Sequence, residues 1–390
     1  MDDDLSSWAP QAAEAEAGHA PVPASAAWRP GDHPGRRQFV DIGWLPLEGD
    51  PRGGIDVTLA FETWGELNAA RDNAIYVAHA FTGDSHVTGG WWSGLVGPGK
   101  PIDTDRYYVV SANVIGGCQG TTGPAHPNPL DGKPWGASFP YVTLHDMVTA
   151  EARLADHLGI DAWALVIGPS MGGMRALEWA ATYPERVRAI AAVGTTAATT
   201  AEQIAWNAAQ SAAIRLDPAF LDGDYYHLPD GHGPHRGLGI ARAIAHTTYR
   251  SEPELDARFG RHVQDGDPLR LEGFYAVESY LEHHADKLAR RFDANTYLRM
   301  LHAINTHDVG RGRGGVDTAL GRYSGEALVL AIDSDRLYPL SNAERIAAAL
   351  PQSGGVTLLH SDIGHDGFLV DSTGLNDAVA GLVERVAVSA

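Results

Sequence analysis

Short apolar blocks recur along this chain, separated by segments whose apolar residues fall at helical spacing. Val57–Trp64 alternates apolar and polar positions as a half-buried strand does, and Gly65–Asn68 reads as the turn after it. Asn73–His79, Arg106–Asn113, Ala164–Ile167 and Arg188–Val193 are largely apolar instead, the pattern of strands covered on both faces. Between them, Val142–Leu158 sets Leu144, Met147, Val148, Leu154 and Ala155 on one helical face and stops at Gly159. Strand and helix in alternation predict a mostly parallel, doubly wound α/β sheet with functional loops at the carboxyl ends of its strands. The rhythm changes from about Thr199 to Asn305. Ala201–Leu216, Gly237–Thr247 and Phe274–Ala289 read as helices there, with no strong strand, which predicts an inserted helical lid. The sheet pattern then resumes with Glu326–Ile332, helix Ser341–Leu350, strand Gly355–Leu359 and a closing helix, Asn376–Val388.

This reading divides the chain into a disordered tail (1–37), a first part of the core (38–198), the lid (199–305) and a second part of the core (306–390). The tail assignment rests on its Ala, Pro, Asp and Glu content without periodicity. Gly310–Gly315, with its alternating arginines, reads as a flexible exposed loop.

The most informative stretch is Ala164–Ala180. A short apolar strand runs into Gly168-Pro169-Ser170-Met171-Gly172, and helical spacing follows. G-x-S-x-G between strand and helix is a nucleophile elbow, in which a sharp turn lifts the serine hydroxyl clear of the sheet. Free N–H groups at the helix N-terminus behind it suit an oxyanion. The plainer alternative is a Gly-Ser turn in which Ser170 caps the helix. Partner residues decide, because a serine hydroxyl needs a base, itself oriented by a third group. In such folds the order is Ser, then Asp or Glu, then His. Asp333 and Asp335 both follow the strand Glu326–Ile332, and His365 lies between glycines after the last strand.

Composition narrows the field. At 390 residues the chain is long for one compact domain, and a formal net charge of −20 argues against nucleic acid or an anionic membrane as partner. A polyanionic ligand would need a local basic site. The single cysteine, Cys118, excludes an internal disulfide framework and fits a cytoplasmic protein. The Met-Asp-Asp-Asp start lacks a secretory signal, and no apolar run reaches membrane-span length. His227, His232 and His235 match no metal spacing, so no metal is expected.

Five motifs carry a resemblance: Gly168–Met174, His79–His86, Asn113–Pro124, Ser334–Pro339 and Gly364–Phe368. Together with the lid segments Val277–His283 and Arg290–Asn295, they resemble homoserine O-acetyltransferases from about residue 38 to the C-terminus. The resemblance implies an α/β-hydrolase fold with Ser170 as nucleophile, Asp335 as triad acid and His365 as base. It also implies that Arg242 and Asp366 bind substrate, with oxyanion donors from the main chain of Phe81 and Met171. Acetyl-CoA would be a co-substrate, with no bound cofactor, L-homoserine the acceptor, and a homodimer through the lid the expected assembly. Homoserine carries a carboxylate and an ammonium, chemistry that Arg242 and Asp366 match. Succinyl transfer, transfer to serine, and hydrolysis stay open on the same scaffold. Pro169, where the family often has glycine, and Ala125-His126 after Gly-Pro depart from its pattern.

Overall fold

The computed structural model describes residues 20–271, 273–371 and 373–388. Eight strands form the main sheet: β1 Gln38–Pro46, β2 Gly54–Trp64, β3 Ala74–Val77, β4 Tyr108–Ala112, β5 Leu165–Pro169, β6 Ala189–Val193, β7 Glu326–Ile332 and β8 Val356–Leu359. Their order is β1-β2-β4-β3-β5-β6-β7-β8. β2 pairs antiparallel with both β1 and β4; the remaining pairs are parallel. Alternate residues face opposite sides, so Tyr76, Val166 and Ile190 enter one core while Ile75, Ile167 and Ala191 enter the other. Both faces are covered, as the unbroken apolar runs of these strands require.

Register brings the functional loops together. Val77 lies opposite Ile167, Pro169 opposite Val193, Leu330 opposite Val193 and Ile332 opposite Leu359. The carboxyl ends of β3, β5, β6, β7 and β8 are therefore level, and the loops after them open on one edge.

Helix α1, Leu144–Leu158, starts in a reciprocal cap between Thr143 and Asp146 and ends at Gly159 in the left-handed region. Helix α2, Met171–Thr182, packs close to β3 because glycines line the contact. A Cβ on Gly172 would lie 2.1 Å from the Ala78 carbonyl oxygen, and one on Gly168 2.5 Å from the Gly172 carbonyl carbon. Backbone cannot yield cheaply, so Gly172→Ala is expected to destabilise the fold by about 1–3 kcal/mol and to displace the serine turn. Urea unfolding and turnover measure the two effects, and wild-type values in both would mean the approach is looser than these distances.

Buried Arg175 ties α2 to its neighbours, pairing with Glu151 of α1 at 2.9 Å and donating to the His79 carbonyl at 3.1 Å. The segment Gly310–Gly315 is largely exposed, as expected, and its arginines tie it to the core. Arg313 bonds Glu178 and Thr182 of α2, and Arg311 bonds Glu48 at 2.8 Å. Burial raises the Glu178 pKa, but His145 and Arg313 outweigh it and bring it down to about 2.

The lid lies between β6 and β7: α3 Ala201–Leu216, α4 His235–Tyr249, α5 Glu252–Phe259, α6 Ala276–Ala289 and α7 Ala294–Asn305. An antiparallel bridge between Ala198 and Asp308 closes its base. Helices α5 and α7 were not read from periodicity, nor was a short antiparallel pair of strands, Val263–Asp265 with Phe274–Tyr275, the second of which takes the first two residues of the helix expected over Phe274–Ala289.

The tail expectation divides. Residues 1–19 lie outside the described residues, residues 22–28 lie against the fold, and residues 29–36 run exposed beside it. The Ala26 N–H donates to the Phe292 carbonyl at 3.3 Å and the Trp28 N–H to the Cys118 carbonyl at 2.9 Å. Ala27 is buried, and the Trp28 indole stacks on Phe39. Alanine and proline carry no helical or strand pattern here, yet such a segment can be held by main-chain bonds to a preformed surface.

Candidate active site

Ser170 sits between β5 and α2 at φ 55°, ψ −123°, a conformation strained for any residue with a Cβ. Its N–H donates to the Val193 carbonyl, and its own carbonyl accepts from Met174 N–H and the Thr195 hydroxyl. The side chain contributes no cap to α2, so the turn presents the hydroxyl instead of using it, which decides against the capping alternative.

Asp335 follows β7 and His365 follows β8. The Asp335 Oδ2 to His365 Nδ1 distance is 2.7 Å, with both side chains buried. The other oxygen, Oδ1, accepts from the main-chain N–H groups of Leu337 and Tyr338 at 2.8 and 2.9 Å, fixing the carboxylate plane. Asp333 faces elsewhere, toward the exposed His360 at 2.8 Å and the Ser361 N–H at 3.0 Å. Of the two candidate acids, only Asp335 therefore meets His365. Burial pulls the His365 imidazole down, but the charge and hydrogen bond of Asp335 outweigh it, and its pKa lies above the usual histidine value. Gly194, beside this pair, holds a left-handed φ of 49°, a conformation that glycine adopts without the cost a Cβ would add.

Ser170 and His365 open on a cavity of about 440 Å³ beneath the lid, a size suited to a small ligand. Phe81 lines it, from the loop after β3, and Met171 is buried as the first residue of α2. Arg242 enters from α4. Its guanidinium stands 5.3 Å over the Tyr249 ring, Nη1 is 3.5 Å from the Thr82 hydroxyl, and Nε is buried without a partner. It is no lid-surface arginine. Asp366 also lines the cavity, but it is already engaged, with Arg250 Nε 3.3 Å away. Burial raises its pKa, with Arg250, His365 and Arg242 opposing.

Residues 73–372 match the alpha/beta hydrolase fold family. A homoserine O-acetyltransferase from Thermobifida fusca is 54% identical to this chain over 363 residues, covering 90% of this chain and 94% of its own length. The chain belongs to the homoserine O-acetyltransferase family, a family of acyltransferases. The crystal structure of a homoserine O-acetyltransferase from Bacillus anthracis superposes with a TM-score of 0.81 at 26% identity, over 90% of this chain and 97% of that one. Esterase E22 superposes equally well, at 0.81 and 26%, over 89% and 99%.

Homoserine O-acetyltransferase motifs in the sequence led to Ser170, Asp335, His365, Arg242 and Asp366; they did not reveal the rest of the cavity wall. His246, Tyr249 and Arg250 follow Arg242 by four, seven and eight residues on α4 and its end. His284, Lys287 and Arg291 recur likewise along α6 and just beyond it. Helical spacing from Arg242 was the available signal. His246 is held neutral by burial and by Arg242, His284 and Arg250; the same burial and the Arg242 charge bring His284 down to about 3. The wall is therefore cationic through its arginines and Lys287, within a chain of net charge −20. Pro169 and the Ala125-His126 pair are not among the residues lining it. Among the described residues no three or more His, Cys, Asp or Glu side chains converge as a metal site requires.

Proposed function

We propose that this protein transfers the acetyl group of acetyl-CoA to the hydroxyl of L-homoserine, through an acetyl-Ser170 intermediate, as a step toward methionine. The 2.7 Å Asp335–His365 pair, beside the strained Ser170 turn on an arginine-lined cavity, carries the reading. In the first half, His365 takes the Ser170 proton as Oγ bonds to the thioester carbon. The tetrahedral oxyanion lies against the main-chain N–H groups of Phe81 and Met171. The C–S bond then breaks, and the leaving sulfur takes the proton from His365. In the second half, His365 takes the homoserine hydroxyl proton, that oxygen bonds to the acyl carbon, and Ser170 leaves with the proton. No bound cofactor or metal enters either half.

A strongly acidic protein needs a local cationic site to attract an anionic acyl donor, and Arg250 and Lys287 on the wall fit that need. The test is CoA release from purified protein given homoserine with acetyl-CoA, succinyl-CoA, or no acyl-CoA. The structural likeness to esterase E22 favours one rival, with water as acceptor. CoA release from acetyl-CoA that does not rise on adding homoserine would decide for it.

Arg242 is proposed to fork onto the homoserine carboxylate, which would occupy its unpartnered Nε. Arg242→Lys keeps the charge and loses the planar two-point contact. A loss of about 2–4 kcal/mol corresponds to a roughly 30- to 1,000-fold fall in acceptor kcat/KM. Acylation by acetyl-CoA without acceptor should change far less. Equal losses in both halves would move Arg242 to donor binding.

A homodimer through the lid belongs to the same proposal. On α3 the buried positions include Gln203, Asn207 and Gln210, while Ile204, Ala205 and Leu216 face outward, with Ile240 of α4 exposed as well. Apolar side chains exposed on both helices fit a covered surface, and sedimentation of wild type against Ile204→Glu tests it. No helix among the described residues is long and apolar enough to cross a membrane. A cytoplasmic setting, where acyl-CoA is available, completes the proposal.

A further inference from the structure

Phe81, the loop residue given the second oxyanion N–H above, packs its ring against the lid. Its ring lies 4.5 Å from Tyr297 and 6.3 Å from Phe292, both at the corner between α6 and α7. At the same corner Arg291 donates from Nη2 to the Thr82 carbonyl, the next residue of the oxyanion loop, and its Nη1 lies 3.8 Å from Asp84 Oδ2. The corner is itself secured from behind. Gln119 Nε2 donates to the Arg291 carbonyl at 2.9 Å, and Arg290 donates to the Ala20 carbonyl at 2.7 Å. The Ser25 hydroxyl donates to Asp293 at 2.7 Å.

We infer that Arg291 is a positioning residue for the oxyanion hole: its bond to the Thr82 carbonyl sets the loop whose Phe81 N–H meets the developing negative charge. The Thr82 carbonyl shares a rigid peptide with the Gly83 N–H, which donates to the Ala80 carbonyl at 2.9 Å, and that carbonyl shares the next rigid peptide with the Phe81 N–H, so fixing Thr82 limits rotation of the donor. An oxyanion donor works by being aimed at the charge before that charge forms. Arg291 suits this task because it is anchored at both ends, its carbonyl by Gln119 and its guanidinium by Thr82 and Asp84. The inference rests on the acyl-serine reading above, yet concerns any acyl donor, because every such donor forms the same tetrahedral oxyanion. The competing role is contact with the phosphates of acetyl-CoA, since Arg291 also lines the cavity.

The test compares wild type, Arg291→Gln and Arg291→Lys on two donors: acetyl-CoA, and p-nitrophenyl acetate, which has no phosphate. Losing one oxyanion donor outright costs on the order of 10²–10³ in kcat; misaiming it should cost less, roughly 10- to 100-fold. The expected result is that fall in kcat for Arg291→Gln with both donors, little change in the KM for homoserine, and partial recovery in Arg291→Lys, whose ammonium can still donate to Thr82. A loss confined to the KM for acetyl-CoA, with p-nitrophenyl acetate turnover intact, would overturn the inference. If Arg291→Gln does not fold, Gln119→Leu reaches the same corner from outside the cavity. A shared fall in kcat with both donors supports the inference, and an unchanged kcat overturns it. Should wild type hydrolyse p-nitrophenyl acetate but not acetylate homoserine, the transferase reading fails, and the comparison of variants on that ester still decides the role of Arg291.

Discussion

Ser170→Ala is expected to lower acyl transfer on the order of 10⁶-fold while leaving the fold intact. The covalent step disappears with Oγ, and what survives is the contribution of binding and the oxyanion hole. The fold should survive because the turn is held by its main chain. Ser170 N–H donates to Val193, its carbonyl accepts from Met174 N–H and Thr195, and Gly168 and Gly172 supply the close approach. Alanine keeps all of these. It also keeps the penalty of φ 55°, whereas Ser170→Gly removes it and should be the more stable inactive variant by about 1 kcal/mol. Mass spectrometry of wild type given acetyl-CoA alone should find one acetyl group on Ser170, absent from both variants. Near-normal acetylation of homoserine by Ser170→Ala would remove this residue from the chemistry.

Much of the architecture was legible because it is written in local pattern. The strands β3, β5, β6 and β7 are buried on both faces, and that burial demands the apolar runs that identify them. Helix α3 begins and ends where its pattern does, because the cap between Thr200 and Gln203 starts it and Asp217 before Pro218 stops it. The contacts of residues 22–28 left no local pattern, for the opposite reason. The order of that segment comes from bonds to Phe292, Cys118 and Asp293, far away in the sequence, and composition carries no trace of them. The anchor of Gly310–Gly315 was missed in the same way, since it is Glu178 on another element.

Chemistry followed the same division. Residues within a motif were found because spacing encodes them. The rest of the cavity wall was not, because Tyr249, His284 and Lys287 lie outside those motifs and meet the serine loop only where the lid folds over the sheet edge. The acid position illustrates the boundary. Asp333 and Asp335 are equivalent by position, and two residues along a turn separate an exposed partner of His360 from a buried partner of His365.

Asp335→Asn is accordingly expected to lower turnover by roughly 10⁴-fold, far more than Asp333→Asn. The direction follows from hydrogen bonds already in place. Leu337 and Tyr338 each aim a main-chain N–H at Oδ1, so in the variant the amide oxygen stays there and the NH2 group must face His365. An NH2 group donates, so Nδ1 of the imidazole has to accept, and its proton moves to Nε2. That is the nitrogen that must take the proton from Ser170, and it is then occupied. The pH profile should move as well. Catalysis requires neutral His365, so the rate rises with pH through its pKa, which in wild type lies above the usual value of about 6.5. With the charge of Asp335 gone, burial remains as the main influence and lowers that pKa, so the acid limb of kcat/KM should shift to lower pH while the plateau falls. Stability carries the matching sign. A raised histidine pKa stabilises the folded state fully below the unfolded value, and that contribution is lost as pH rises through the folded one. Wild type should therefore lose more stability than Asp335→Asn as pH rises from about 6 through the His365 value. Thermal melts across that range, run beside the kinetic profiles, check both signs. A larger kinetic effect from Asp333→Asn, or an acid limb that moves up in Asp335→Asn, would place the carboxylate partner of His365 elsewhere.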